Sequence, residues 1–418
     1  MRLTRFFITI LFFILTLSCN SKENDQIIKP INLIKSESVI LEENEDVIIS
    51  DIIDCDINGE CGSIVITSGI SQIIAIYDFK SGKLINAYKA GIYLSDSIKN
   101  SNRIPPSNPF NDIPLYPIKY LSLEECKKNG ITDLKMIRNE FIEVEYKNDN
   151  SISTLALIYL PTLLKDNLKT AYNTAAVVEF DTSLNIKKVI FPNNTLFNFT
   201  LSNSFAVDNL KRHFYILNQT LLRYKYLKLK DSLPVLSVYD EKGEFIKTAL
   251  FLDEKFANDE FINLSFMYNP ITTTFNHQLF TMFPYDPNTV YNLTTNDTIC
   301  LSNPIVDYSK KYEEARNRLN TLERNSNETK VIEEFFPLTV CNVTNNGTNL
   351  IICFLKKGKE SNSFIFREYD TNGKLISERT FENKDNLNIQ NMLYDKKNNY
   401  VVFFVKGEEN WTMEKFRW

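Results

Sequence analysis

The sequence predicts an all-β fold, a β-propeller of six four-stranded antiparallel blades, on three observations. A strand–turn–strand signature recurs along the chain, four-strand units can be read around its copies, and the last unit lacks a strand that the start of the body supplies. The signature occupies residues 74–85, 177–186, 236–246 and 366–376. In each copy an alternating β-rich run ends in an aromatic–Asp pair, at Asp78, Asp181, Asp240 and Asp370. In three of the four copies a glycine follows, Gly82, Gly243 and Gly373, before a second apolar strand. The aspartate caps the turn and the glycine supplies its positive φ. The aspartates lie 103, 59 and 130 residues apart, which suits one unit per roughly 50 to 65 residues with some units degenerate, and so about six or seven units.

The elements follow in chain order. Residues 31–41 alternate apolar and polar side chains and read as a strand, and residues 51–90 read as a full blade. Residues 91–118, rich in Ser, Asn and Pro, read as a long surface loop. Glu143 and Glu145 alternate with Ile142, Val144 and Tyr146, as on the solvent face of an edge strand. The third copy can be read most fully, with strands at 204–208 and 213–217 around a turn at 209–212, then the two strands of the signature. Tyr308, Tyr312, Ala315, Leu319 and Leu322 fall on one face of an inserted helix near 307–325, which either shapes a binding face or packs on the side of a blade. Residues 338–382 form another blade, with Asn346-Gly347 between its first two strands. Residues 392–405, with their turn at 396–399, and 411–418 supply only three strands. The strand at 31–41 completes them and covers the exposed edges of the first and last blades. Residues 31–418 are thus read as one propeller domain, against the alternatives of a two-domain β-sandwich protein or another all-β repeat.

Ahead of this body, Arg2 and Arg5 precede an apolar run over residues 6–17, broken only by Thr9 and Thr16. This is the pattern of a signal peptide over residues 1–18, and a run of 12 residues is shorter than the roughly 18 a spanning helix needs. The run ends in Thr16-Leu17-Ser18-Cys19, which resembles the bacterial lipobox, with Thr16 and Leu17 in swapped order. The resemblance implies a diacylglycerol on Cys19 and a membrane as partner through that anchor. Residues 19–30 then form the lipidated cysteine and a polar tether. At roughly 0.8 kcal/mol per buried methylene, two or three acyl chains hold a protein on a membrane durably. Residues 20–25, Asn-Ser-Lys-Glu-Asn-Asp, are similar to the surface-export signals of Bacteroidota lipoproteins. The implied location is the cell envelope, on the outer membrane, facing either the surface or the periplasm.

The net charge of −5 becomes −7 once Arg2 and Arg5 are removed, which argues against nucleic acid as a partner. An exported chain can oxidise its cysteines. Cys55 and Cys61 flank a turn-like spacer, as do Cys341 and Cys353, although a two-residue Asn-Gly turn would point Cys353 away from Cys341. Cys126 and Cys300 have no evident partner, and no Cys/His spacing fits zinc. His213 and His277 each sit among aromatics in expected strands and read as structural. No nucleophile-elbow, zincin, P-loop or dinucleotide motif occurs, so no catalytic, metal or cofactor residue is assigned. Asp78, Asp181, Asp240 and Asp370 repeat at one place per unit, as a turn requires and a single active site does not. Residues 96–98, 231–233 and 297–299 resemble the Asp-Ser/Thr-apolar O-glycosylation site of Bacteroidota.

The blade signature resembles that of six-bladed propellers of the NHL and TolB-like type. With the lipobox and the Asn/Lys/Ile-rich composition, the chain is similar to propeller lipoproteins of Bacteroidota such as the domain-of-unknown-function 4221 family. Such a resemblance implies architecture and leaves the ligand open. Three functions are compatible with it. The first is a lipid-anchored, non-catalytic binding module for a protein or glycan. The second is a carbohydrate-active enzyme with carboxylates in the propeller channel, and the third is a structural envelope component. Converging channel acids would favour the enzyme, and a channel plugged by apolar side chains the structural component.

Overall fold

The computed structural model describes residues 28–89, 119–120, 140–163, 169–190, 192, 205–217, 233–252, 270–284, 286–306, 308, 311, 314–315, 317–318, 331, 334–358 and 361–418. The chain enters along Ile31–Asn32 (β1) and Ile34–Ile40 (β2) and then builds its sheets in sequence order. Blade 1 comprises Asp54–Asn58 (β3), Ser63–Ser68 (β4), Ile73–Asp78 (β5) and Leu84–Lys89 (β6). Lys119–Tyr120 (β7) joins blade 2, which otherwise consists of Glu140–Tyr146 (β8), Ile152–Leu163 (β9), Lys169–Phe180 (β10) and Ile186–Ile190 (β11). Blade 3 runs through Phe205–Asp208 (β12), His213–Leu217 (β13), Leu233–Tyr239 (β14) and Phe245–Leu252 (β15). Blade 4 runs through Ile271–Phe275 (β16), Gln278–Met282 (β17), Thr289–Asn292 (β18) and Asp297–Cys300 (β19). Leu338–Asn345 (β20), Leu350–Lys356 (β21), Ser363–Tyr369 (β22) and Leu375–Glu382 (β23) make blade 5, and Ile389–Asp395 (β24), Tyr400–Lys406 (β25) and Trp411–Arg417 (β26) make three strands of blade 6.

The fourth strand of blade 6 is β2, antiparallel to β26 with Ile40 opposite Thr412, as the alternation at 31–41 predicts. Just before it, β1 lies parallel on β23, with Ile31 opposite Arg379, so one extended segment crosses from blade 5 to blade 6. The closure is fastened at Lys415, whose side chain is buried although its residue type favours water. Its Nζ donates to the Phe79 carbonyl at 2.8 Å and pairs with Glu37 at 3.1 Å. It also lies 4.1 Å from the Phe79 ring centroid. Blade 6, the closing strand and blade 1 thus meet on one cation.

Each blade is apolar on both faces, and the core lies between blades. Val65 and Ile74 of blade 1 pack on Phe141, Val178 and Phe180 of blade 2, and Val177 and Ile190 pack on Phe205 and Tyr239 of blade 3. The same holds between blades 3 and 4, 4 and 5, and 5 and 6. Ile64, Ile66, Val402, Phe404, Trp411 and Met413 close the circle between blades 6 and 1. Middle strands such as β4 are buried at every residue, which is why they read as near-continuous apolar runs. Burial of this kind contributes about 25 cal/mol per Å² of apolar surface.

The recurrent turn is built as expected. The Oδ1 atoms of Asp181, Asp240 and Asp370 each accept two backbone N–H groups within the turn, and Asp78 Oδ1 accepts the Ser81 N–H and hydroxyl. Gly82, Gly243 and Gly373 have φ of 71°, 83° and 82°, and Leu184 takes the same place with φ 57°. A Cβ at Gly82 would lie 2.0 Å from the Ile40 carbonyl oxygen, and at Gly373 2.3 Å from that of Cys300. The glycine is therefore set by the outer strand of the preceding blade as well as by φ. At the insertion, Lys311, Glu314, Ala315, Asn317 and Arg318 are helical, and so are Val331, Glu334 and Phe335. Tyr308 and Ala315 are buried against Val235, Phe283 and Leu293, so these described residues of the insertion pack on the side of blades 3 and 4. Tyr312, Leu319 and Leu322 lie outside the described residues. Among the described residues, no helix is long and apolar enough to cross a membrane.

Candidate functional site

A propeller brings the first strand of every blade to its axis. Here β3, β8, β12, β16, β20 and β24 surround a cavity of about 720 Å³, open toward the turns that join first to second strands. Its wall is polar, with Asp54, Asp56, Glu143 and Glu145 on blades 1 and 2, Thr272 to Thr274 on blade 4, Asn342 and Asn345 on blade 5, and Tyr394 and Lys396 on blade 6. Among the described residues, apolar side chains such as Ile57, Phe205 and Met392 contribute to the wall without filling the cavity, so the apolar plug that would favour a purely structural role is not seen there.

The first strand of a blade hydrogen-bonds to its own sheet on one edge only. The other edge must find partners for its N–H and C=O groups, and side chains of the neighbouring blade supply them. Asp54 Oδ2 accepts the Val144 N–H at 2.9 Å and Asp56 Oδ2 the Tyr146 N–H at 2.7 Å. One blade further on, Glu143 Oε2 accepts the Phe205 N–H at 3.0 Å and Glu145 Oε2 the Val207 N–H at 2.7 Å. Elsewhere on the ring the polarity reverses. Asn345 donates to the Thr274 carbonyl at 2.8 Å, Asn342 to that of Met392 at 3.4 Å, and Asn391 to that of Ile53 at 2.7 Å. The second oxygens of two acids are also engaged, Asp56 Oδ1 by the Ile57 N–H at 2.8 Å and Glu145 Oε1 by the Thr274 hydroxyl at 3.3 Å.

These acids stand where water is scarce, and desolvation dominates their titration. Burial pushes the Glu145 carboxyl up to about 8, with the Asp56 charge adding to the effect, against the lowering by its bonds to Val207 and Thr274. Asp54 is pushed up to about 7 and Asp56 to about 6, again mainly by burial, with their backbone hydrogen bonds opposing it. Lys396 is lowered by desolvation, and Asp56 and Glu145 act in the opposite direction.

Glu143 and Glu145 are therefore not on a solvent face. β8 is an edge strand, but its edge faces the ring axis, and Glu143 is 3% exposed. An acid–x–acid pair on a first strand, Asp54-Cys55-Asp56 and Glu143-Val144-Glu145, is the signal that sequence reading passed over. His213 lies in β13 as expected, whereas His277 occupies a turn, with φ 60°, rather than a strand; neither lines the channel. Among the described residues no group of three or more His, Cys, Asp or Glu is placed to hold a metal ion. Asp297 is exposed at the start of β19. Cys19, Cys126 and residues 96–98 lie outside the described residues, and so do Asp231 and Ser232. Cys55, Cys61, Cys341 and Cys353 carry free thiols, and Cys300 is disulfide-bonded.

No family model matches the sequence, and no curated protein does; the likeness to the domain-of-unknown-function 4221 family therefore rests on sequence features alone. Solved structures do match. A Bacteroides fragilis protein described as exported shares 12% identity over 94% of this chain and 97% of its own, with a TM-score of 0.50. A glucose dehydrogenase matches at 9% identity over 91% and 99%, TM-score 0.42. The β-propeller domain of Cps50 (Swd1) from Myceliophteria thermophila matches at 6% over 92% and 99%, TM-score 0.39. At 12% identity the likeness to the Bacteroides fragilis protein shows the fold and nothing of chemistry.

Proposed function

We propose that the chain is an exported envelope protein, anchored by lipid at Cys19, whose propeller is a non-catalytic binding module. It takes a polar ligand, a glycan segment or a polar protein loop, at the open end of the channel. The observation that carries this reading is the use of the channel acids. Both oxygens of Asp56 and of Glu145 are spent on protein donors, so these carboxylates brace strands rather than stand free beside a scissile bond. Thr273, Thr344 and Asn148 on the wall offer the neutral donors and acceptors that suit hydroxyl-rich ligands.

The test is a glycan-array screen of soluble residues 20–418, beside affinity capture from intact cells with protease shaving of the surface. A reproducible glycan or partner that is lost in Thr273→Ala or Thr344→Ala supports the reading, and binding unchanged in both variants overturns it. Palmitate labelling that persists in Cys19→Ala removes the anchor. The second reading, a carbohydrate-active enzyme, draws on one feature: Glu145 at about 8 and Asp54 at about 7 hold protons near neutral pH, as a general acid must. Cleavage of a polysaccharide panel by the wild type, abolished in Glu145→Gln, would replace the first reading with this one.

A further inference from the structure

We propose that Cys341 and Cys353 form a disulfide that staples the first two strands of blade 5 beside the channel rim. The two-residue turn expected at Asn346-Gly347 is instead a four-residue loop, since Asn345 pairs with Leu350. With that register Cys353 lies opposite Asn342, and an unbulged strand would pair Cys341 with Phe354. A bulge between Val340 and Asn342 takes Cys341 out of the ladder and turns its side chain toward Cys353. The two Sγ atoms are 3.4 Å apart, about 1.4 Å more than a bonded pair, a gap that side-chain rotation can close. Cys55 and Cys61 have no such contact among the described residues, with Cys61 exposed in its turn. That Cys300 is disulfide-bonded fits a chain meant for an oxidising compartment.

The chemistry requires an oxidant, here a small-molecule or protein disulfide. Cys341 is half-buried and Cys353 is 2% exposed within the core between blades 5 and 6, so Cys341 is the thiol an oxidant can reach. The Cys341 thiolate attacks one sulfur of the oxidant and releases its other sulfur as a thiolate. Cys353 then gives up its proton to solvent or to that thiolate, attacks the Cys341 sulfur, and expels the second oxidant thiolate. Two protein thiols lose two electrons and two protons, and one oxidant disulfide becomes two thiols. Burial pushes the Cys353 thiol well above its ordinary range, which makes it the slower nucleophile of the pair, and its attack relies on the Cys341 sulfur being held 3.4 Å away.

The experiment uses the soluble chain 20–418 equilibrated with oxidised glutathione, alkylated without reductant, digested and read by tandem mass spectrometry. The expected result is a peptide linking Cys341 to Cys353, lighter by two hydrogens than its reduced parts, with Cys55 and Cys61 recovered unlinked to either. Cys341→Ser should leave Cys353 free and alkylated only after unfolding. Recovery of Cys341 and Cys353 as alkylated thiols, as glutathione adducts, or linked to other cysteines overturns the proposal. Because the oxidant is supplied in the tube, the result is independent of where the protein resides in the cell.

Discussion

The buried acids make stability depend on pH in a direction opposite to that of an ordinary surface carboxylate. Glu145 has its folded value near 8 against an ordinary value of 4.5. A carboxyl raised on folding leaves the native state holding a proton that the unfolded chain releases. Its contribution is complete below about pH 4.5 and is lost as pH rises toward 8. At 1.36 kcal/mol per unit, integration across that window gives an upper bound of roughly 4 kcal/mol from this one group. Glu145 keeps some water contact on its channel side, and an effective dielectric of about 20 is the better description of such a site, so about 2 kcal/mol is expected. Asp54 and Asp56, at about 7 and 6, act in the same sense. Glu145→Gln keeps an acceptor for the Val207 N–H and removes the charge. Urea unfolding followed by fluorescence of Trp411 and Trp418 should show the wild type losing stability from pH 5 to 8 and the variant losing less by about 2 kcal/mol. Equal slopes for the two proteins, or a wild-type midpoint that rises with pH, would refute the argument.

Three further outcomes follow from the geometry. Gly373→Ala places a Cβ 2.3 Å from the Cys300 carbonyl oxygen at φ 82°, whereas Gly347→Ala, at φ 88°, meets nothing within 4 Å. Losses of about 2 to 4 and about 1 kcal/mol are expected in denaturant titration, and comparable losses would show that φ alone sets the turn. Asp370→Ala removes the acceptor of the Asn372 and Lys374 N–H groups and should cost about 1 kcal/mol, with no effect on binding. Deletion of residues 20–41 takes β2 from blade 6 and Glu37 from Lys415, and should give a species that binds a hydrophobic dye and aggregates; a monomeric, dye-silent product would mean the ring closes without its N-terminal strand.

The sheet order was legible because its signals are local. The aromatic–Asp–Gly turn lies within a dozen residues, and Asp240 and Gly243 mark it without reference to any other blade. The missing strand of blade 6 was legible because three strands followed by no fourth leave an edge, and residues 34–40 were the alternating segment left unpaired. The disposition of Cys341 was not legible. It depends on loop length and on one bulge, and either shifts the facing of a strand by a residue.

The channel escaped the sequence for a different physical reason. A first strand looks like any amphipathic edge strand, because its polar face is polar whether it meets bulk water or the ring axis. Glu143 and Glu145 alternate with apolar neighbours either way. What separates the two cases is the partner, and the partner is remote: Asp54 reaches Val144 across 90 residues and Glu145 reaches Val207 across 62. Closing the ring creates six inner edges whose N–H and C=O groups have no strand to pair with. Side chains that satisfy them must be short, polar and placed on the adjoining blade, and Asp, Glu and Asn on first strands meet that need. An acid so used loses hydration and acquires a raised pKa without any catalytic purpose. A perturbed carboxylate in a propeller channel thus carries weight as a catalytic group only when an oxygen remains free of protein donors; both oxygens of Asp56 accept backbone N–H groups, and those of Glu145 accept the Val207 N–H and the Thr274 hydroxyl.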